Sequence, residues 1–265
     1  MRLVRDLFES KKILTAILIV ALIWSTIEIF STEHSIISFH GLATLLTFFK
    51  SIFELDLSFT FLMICIEACI RTLIYAFAGL SLAILMAIPL GILASGIFIH
   101  NKYINRIAVI CLRFFLGVTR SIHELVWALL LVSVIGLSPM VAVLALTIPY
   151  VGILGRIYAE QLRDVPDQPI KALLTNGANY PKAILYGRVP LALPNITSYT
   201  FYRLECGIRS AAIMSFIGIQ GIGYQIHLSL LDIKFGQVWT GLLCLTLMVV
   251  IVDLWSSRVR KALTS

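Results

Sequence analysis

The sequence predicts an all-α integral membrane protein with about six transmembrane helices. Hydrophobic residues make up 59% of the 265 residues and charged residues only 13%, and the mean hydropathy is +0.96. A soluble domain has about 25% charged residues. The apolar residues also form runs long enough to cross a bilayer, which takes about 17–25 residues. Too little polar surface remains to coat a soluble globule, so lipid must solvate much of the chain.

The first predicted span covers residues 13–30 and follows the basic stretch MRLVRDLFESKK. This apolar run is longer than the core of a signal peptide, which has about 7–15 residues, and no A-x-A-like cleavage site follows it. We therefore expect a retained helix. Residues 31–58 have mixed polarity and contain ATLLTFFKSIFEL, an amphipathic stretch typical of an interfacial helix. Residues 1–58 are thus predicted to form an N-terminal region, and residues 59–265 the membrane core.

Five further spans are predicted in that core. Residues 59–99 favour one long helix that kinks or frays near its C-terminal end, where Pro89 and Gly91 lie. The next run, 107–135, is interrupted by the polar string TRSIHE. The remaining spans are 140–159, 191–217 and 238–255.

The loop charges predict that both chain ends are cytoplasmic. With the N-terminus inside, the outer segments contain only Lys50 and Lys234 among their basic residues, whereas the inner segments contain thirteen. Cytoplasmic loops of membrane proteins carry such an excess of Lys and Arg. The thirteen are Arg2, Arg5, Lys11, Lys12, Lys102, Arg106, Arg163, Lys171, Lys182, Arg188, Arg258, Arg260 and Lys261.

Several function classes are excluded by what the sequence lacks. The net charge of +7 is spread over polar breaks without the aromatic-rich basic cluster of a nucleic-acid site. The five cysteines lie in apolar runs without a CxxC pair, which disfavours disulfides and zinc. Neither a P-loop GxxxxGK[ST] nor HExxH occurs, so we expect no ATP bound by that motif, no metal site and no catalytic residue.

The polar segment 160–190 has the pattern of a helix–turn–helix elbow. Asp167 can cap a helix whose first turn suits Pro169, and Gly177 lies where a glycine ends a short helix. Pro181 then opens a second short helix, which we expect Gly187 to close. Loops of this length without a purpose are uncommon, so the elbow is predicted to be a docking surface.

This segment resembles the cytoplasmic loop of ABC importer permeases of the type I fold. Their pattern is E-A-A-x-x-x-G, nine residues, then I-x-L-P, and the chain matches its spacing from Lys171 to Pro190. Lys171 replaces the usual Glu, and Gly187 replaces the usual Ile. The resemblance implies a coupling helix that docks on an ATP-binding subunit. The residues it assigns to coupling are Pro169, Lys171, Ala172, Leu173, Gly177 and Ala178.

Charged residues inside the predicted spans form a second group of candidates. Charges within a bilayer are costly and therefore mark functional positions by default. Glu67 and Arg71 have the spacing of a same-face pair, and Glu205 and Arg209 repeat it. Such pairs can simply hold helices together, or they can line a path. We predict an anion path at Arg120, His123, Glu124, Arg203, Glu205 and Arg209, because arginine keeps its charge and offers a planar donor fork.

Four strings together resemble permeases for phosphonate and related phosphorus oxyanions: RSIHELVWALL, VLALTIPYVGILGRIYAEQL, SYTFYRLECGIRSA and FIGIQGIG. The resemblance covers most of the chain from about residue 59. Family members often read GAGGIG where this chain has GIQGIG, which the resemblance makes a periplasmic gate turn containing Gly218, Gly221 and Gly223.

The resemblance implies a permease subunit in the bacterial inner membrane that carries phosphonate, phosphite or phosphate by alternating access. It would act as a homodimer with two ATP-binding cassette subunits, which hold ATP and Mg, and a periplasmic substrate-binding protein. Two alternatives remain. A secondary transporter or channel for a small anion would show inverted repeats, and an intramembrane enzyme would need a nucleophile or metal constellation. Neither signature is visible in the sequence.

Overall fold

The structure, a computed structural model, describes residues 2–31, 39–97 and 102–264. These residues are almost entirely helical, and no strand occurs in the described ranges. The eleven α-helices of those ranges are α1 (Arg2–Ser31), α2 (Phe39–Lys50), α3 (Phe59–Ser95), α4 (Lys102–Ser121), α5 (Glu124–Ile135), α6 (Pro139–Asp164), α7 (Asp167–Thr175), α8 (Tyr180–Ala183), α9 (Val189–Met214), α10 (Ile222–Leu231) and α11 (Phe235–Thr264).

The contacts divide the chain into two units, Met1–Ile52 and Phe53–Ser265. The first unit contains α1 and α2. Residue 58 as the boundary between an N-terminal region and a core stays a prediction. The interfacial stretch of the sequence is helical through α2 and a short 3₁₀ turn, Ser51–Phe53.

The six predicted spans correspond to helices or to a helix pair, although the second and the fifth extend beyond α3 and α9. By length and composition α3, α6, the stretch that contains α9, and α11 can each cross a membrane. The pair α4–α5 counts as a fifth if taken together, although it is bent by 84° at the predicted TRSIHE interruption. The first predicted span lies within α1. The long second span is one continuous helix with Pro89 inside it, and it ends at Gly96; residues 98 and 99 lie outside the described part.

The core of the second unit is the contact between α3 and α6, where small residues bring the helices together. A Cβ at Gly79 would lie 2.9 Å from the Cβ of Leu146, and one at Gly91 would lie 2.9 Å from the Gly155 carbonyl oxygen. The Thr147 hydroxyl also donates to the Gly79 carbonyl over 3.1 Å. Close backbone approach of this kind is how helices associate in lipid, where burial of apolar side chains offers little net driving force.

The segment before α3 is fastened to the start of α11. Gln237 donates from its amide to Asp56 over 2.9 Å, and the Thr240 hydroxyl donates to the Asp56 carbonyl oxygen over 3.1 Å. The hydrogen bonds from Gln237 and Ser58 hold the pKa of the Asp56 carboxyl below its usual range. These bonds connect the segment just before α3 to the first turns of α11.

The predicted elbow is present, with two corrections. Asp167 does not cap α7, because Pro166 takes that position and Asp167 is the first helical residue. Gly187 does not close a helix either. The chain continues from α8 through one wide π-type turn, Ile184–Arg188, directly into α9. Gly187 is instead a contact point, since a Cβ there would lie 2.9 Å from Leu173 Cδ1.

Gly177 ends α7 as predicted. Its φ of +85° lies in the left-handed region, which glycine adopts without steric penalty. The Ala178 N–H donates to the Leu173 carbonyl over 3.0 Å, and the Gly177 N–H donates to the Leu174 carbonyl over 3.1 Å. This pair of bonds is the Schellman motif, which satisfies carbonyls that the end of a helix leaves open.

Candidate functional site

Three of the predicted path residues, Arg120, His123 and Glu124, lie at the bend between α4 and α5. Arg120 is exposed in the last turn of α4, and His123 caps α5 by accepting a hydrogen bond from the Leu125 N–H over 3.2 Å. His123 Nε2 lies 3.9 Å from Glu124 Oε1. The break is therefore a capped helix start, which explains why polar residues interrupt the apolar run.

Glu124 links α5 to α9. Its side chain is 19% exposed and accepts a hydrogen bond from the Ser210 hydroxyl. The hydroxyl of Tyr150, which comes from α6, interacts with Ser210 as well. Three helices thus contribute polar groups to one cluster, formed by Glu124, Tyr150 and Ser210.

Arg203 also lies beside Tyr150, among tyrosines. Its Nη2 and Nε donate to the Tyr199 hydroxyl over 3.1 and 3.3 Å. Its guanidinium carbon lies 5.6 to 5.9 Å from the ring centroids of Tyr150, Tyr199 and Tyr202, within the range of cation–π contacts. No described carboxylate forms an ion pair with Arg203. The half-buried guanidinium is thus held in place while its charge is not neutralised.

The predicted pair of Glu205 and Arg209 does not form. Glu205 is 6% exposed and pairs with Arg260 of α11, which also donates to Ser256 over 3.1 Å. Glu205 points towards α11, whereas Arg209 is exposed at one end of an apolar cavity of about 300 Å³ between α9 and α11. The i, i+4 spacing predicted a pair within α9, but the Glu205 carboxylate pairs with Arg260 on α11 instead.

Glu67 and Arg71 form the ion pair that their spacing predicts. Arg71 Nη2 lies 2.6 Å from Glu67 Oε1, and both side chains are largely exposed. Arg71 also donates to the Gln220 amide oxygen. Gln220 belongs to the predicted gate turn, so this bond attaches that turn to α3.

The three glycines predicted for the gate turn have three different backbone conformations. Gly218 has a φ of +113°, whereas Gly221 is extended. Gly223 lies inside α10, a helix that the sequence did not predict, and a Cβ there would lie 2.1 Å from the Ala212 carbonyl oxygen. The Ile222 N–H at the start of α10 donates to the buried hydroxyl of Thr72 on α3 over 3.0 Å.

We expect Thr72→Val to lower the free energy of unfolding by about 1–3 kcal/mol, because it leaves the buried Ile222 N–H without an acceptor. Thermal melting of the purified chain in detergent measures this. Thr197→Val is the matched control, since the exposed Thr197 hydroxyl bonds only within its own helix. An equal loss in both variants would contradict the role of Thr72 at the turn.

The elbow presents most of the predicted coupling residues at its surface. Pro169, Lys171, Ala172 and Gly177 are exposed, and Leu173 and Ala178 are partly buried. Ile170 is buried beneath them, and Asp167 forms an ion pair with Arg188 across the elbow. Several apolar side chains also reach solvent there: Leu174, Tyr180, Leu185 and Tyr186. The elbow is therefore held together by a buried side chain and an ion pair, and part of its surface is apolar.

Sequence reasoning missed the neutral partners of these charges: Tyr150, Tyr199, Tyr202, Ser210 and Gln220. A weak signal existed for the tyrosines, because Tyr199 and Tyr202 precede Arg203 by four residues and one residue. None existed for Gln220, which is 149 positions from Arg71. In the described ranges no three His, Cys, Asp or Glu side chains converge as a metal site would require.

Comparison with known proteins identifies the family. The family described as "Binding-protein-dependent transport system inner membrane component" matches residues 87–265. This chain belongs to that family. The permease is 31% identical over 220 residues to the putative phosphite transport system permease protein HtxC of Stutzerimonas stutzeri, which covers 83% of this chain and 76% of the relative. It is 28% identical over 196 residues to the phosphite transport system permease protein PtxC of the same organism, covering 74% and 70%.

The permease also shares its fold with a solved structure. The MetNI methionine ABC transporter in an inward-facing conformation matches with a TM-score of 0.67 and 19% identity, over 79% of this chain and 100% of that chain. The predicted all-α, type I ABC importer permease fold is thereby confirmed. The permease is a multi-pass inner-membrane transport component.

Proposed function

We propose that this permease is the membrane-spanning subunit of an ATP-driven importer for phosphonate or a related phosphorus oxyanion such as phosphite or phosphate. The observation that carries the anionic cargo is Arg203, a charged group without a described carboxylate partner inside a membrane helix. Arg203 lies about 21 Å along a helix about 39 Å long, near its middle. The phosphite-transport relatives support phosphorus as the central atom.

An oxyanion can use Arg203 without being trapped by it. The Tyr199 oxygen accepts from the guanidinium, which leaves the tyrosine O–H free to donate to a second oxygen of the ion. Two kinds of donor then replace part of the hydration shell. Glu124, at the far end of the Tyr150 contacts, supplies a negative charge that opposes retention and favours release.

The partners proposed are a second copy of the chain, two ATP-binding cassette subunits and a periplasmic binding protein. Arg209 supports the second copy, because an exposed arginine inside a predicted membrane span is unfavourable against lipid. The elbow supports the ATPase, because its exposed apolar side chains lie on a rigid body continuous with α9. ATP and Mg would be held by that subunit, and the elbow would pass its movement to α9.

Reconstitution tests the proposed function. The chain alone in liposomes should show neither ATP hydrolysis nor uptake of labelled phosphonate or phosphite. The chain with its ATPase and binding protein should show both. Uptake by the chain alone would overturn the proposal in favour of a secondary transporter or channel.

Gly177→Val should uncouple ATP hydrolysis from uptake in the assembled transporter. A Cβ at Gly177 would meet no atom within 4 Å, so the expected effect comes from the backbone alone. A left-handed conformation costs about 1–2 kcal/mol for an ordinary L-residue, and a β-branched residue tolerates it worst. The change should therefore unwind the Schellman end of α7 and displace the elbow.

Gly177→Asn is the control, because asparagine tolerates the left-handed region. The ratio of phosphonate taken up to ATP hydrolysed should fall in the valine variant and stay near the wild-type value in the asparagine variant. Normal coupling in the valine variant would show that the turn does not transmit the ATPase movement.

A further inference from the structure

A basic cavity between α4 and α6 lies apart from the tyrosine cluster and the elbow. Its volume is about 160 Å³, and Arg113, Arg156, Ala159 and Glu160 line it. Arg113 comes from α4, and the other three come from two successive turns of α6. None of these residues belongs to the predicted anion path.

The cavity carries an excess of positive charge. Arg156 Nε is paired with Glu160 Oε1 at 2.7 Å, while Arg113 Nε makes a long bond of 3.4 Å to the Ala94 carbonyl oxygen. Arg163 lies close enough to act electrostatically on Arg113, as do Arg156 and Glu160. Three arginines thus face a single glutamate, and within the described ranges Glu160 is the carboxylate that acts on Arg113. Both terminal nitrogens of Arg113 remain available as donors.

The position of the cavity is at the inner ends of the helices. Ala94 is one residue from the end of α3, and Arg156 is eight residues, about 12 Å, from the end of α6. Both helix ends lead to segments that the loop charges place in the cytoplasm. The cavity therefore lies at the depth where the bilayer interior gives way to the headgroups of the cytoplasmic leaflet.

We infer that this cavity binds a phosphate-type oxyanion at the cytoplasmic side of the permease. Guanidinium groups on two helices can grip such an oxyanion through paired hydrogen bonds, and the charges of Arg113 and Arg163 remain in excess after Glu160 has neutralised Arg156. A phosphate group is supplied there by two sources: the headgroup of an anionic phospholipid, or the free ion in the cytoplasm. Basic cavities between membrane helices on this side bind acidic headgroups in the same way.

Binding to the full-length chain, purified in an uncharged detergent, tests the inference. Phosphatidylglycerol and phosphatidylcholine with the same acyl chains are added separately, and retained lipid is counted by native mass spectrometry. Inorganic phosphate is added in a third arm, and thermal melting is followed. Selective retention of phosphatidylglycerol supports the headgroup, and a rise of the melting temperature with phosphate alone supports the free ion. Equal retention of both lipids together with no response to phosphate would overturn the inference.

Two variants assign the binding to the cavity: Arg113 lines it, and Arg163 lies close enough to act electrostatically on Arg113. Arg113→Gln and Arg163→Gln should each weaken binding by about fivefold, the effect of removing one basic residue near an anionic headgroup. Arg258→Gln removes the same charge from an exposed position on α11, outside the cavity, and should leave binding unchanged. Arg113 and Arg163 are both exposed, so both variants should fold. An equal loss in Arg258→Gln would reduce the effect to general surface charge and overturn the site. This test does not depend on the proposed transport of a phosphorus oxyanion.

Discussion

Replacing Glu205 with Ala is expected to destabilise the permease by about 3–5 kcal/mol. The substitution removes the buried carboxylate, 6% exposed, with which the Arg260 guanidinium pairs. Breaking a buried pair by removing one partner is costly, because the remaining charge stays in a medium of low dielectric constant. Thermal melting in detergent, read beside size-exclusion chromatography, measures the loss.

The double variant Glu205→Leu with Arg260→Met separates the pair from its surroundings. Apolar residues of similar size often replace a buried ion pair with little loss, so the double variant should recover much of the stability. Arg209→Met serves as the control, since Arg209 is exposed and has no described contact with Glu205. If Arg209→Met were as destabilising as Glu205→Ala, the pairing of α9 with α11 would be wrong.

Arg203→Met is expected to reduce uptake of the phosphorus oxyanion by the assembled transporter about ten- to a hundredfold. The reduction corresponds to the loss of a charge-assisted hydrogen bond worth about 1.5–3 kcal/mol. Assembly and melting temperature should change little, because Arg203 has no described ion-pair partner and keeps only neutral neighbours. Uptake of labelled phosphonate in proteoliposomes is the measurement.

Two further variants separate the contribution of the planar guanidinium donors of Arg203 from that of its positive charge. Arg203→Lys keeps the charge but loses the planar donor arrangement, and Tyr199→Phe removes the hydroxyl that orients the guanidinium. Both should give intermediate uptake with normal assembly. Full uptake in Arg203→Met, or loss of assembly in that variant alone, would show that Arg203 packs helices together and does not meet the cargo.

Local patterns accounted for much of the elbow. Gly177 was correctly predicted to end α7, because a left-handed residue at a helix end is a requirement of the backbone itself. Gly187 was wrongly predicted to close a helix, because its actual reason is the neighbouring Leu173 side chain. A glycine needed because a neighbouring side chain leaves no room for a Cβ cannot be told in the sequence from one needed for a positive φ. Only the tertiary structure distinguishes the two cases.

The pairs of charges show the same division. Glu67 and Arg71 pair as their spacing predicts, since residues four apart on one exposed helix face meet whatever surrounds them. Glu205 and Arg209 have the same spacing, but Glu205 is turned into the contact with α11 and pairs with Arg260. A buried carboxylate pairs with a basic group on the helix that it packs against. For Glu205 that group is Arg260, which is 55 residues away in the sequence.

The sequence by itself therefore determined the membrane class, the helical spans, the broken third span and the short helix ending at Gly177. These features follow from hydropathy and from backbone requirements within a few residues. The tertiary structure alone decided the other partners of these charges: Gln220 for Arg71, Glu205 for Arg260 and, within the described ranges, only tyrosines for Arg203. Those pairings depend on helix rotation and on distances between helices, which close packing of small residues such as Gly79 and Gly91 sets.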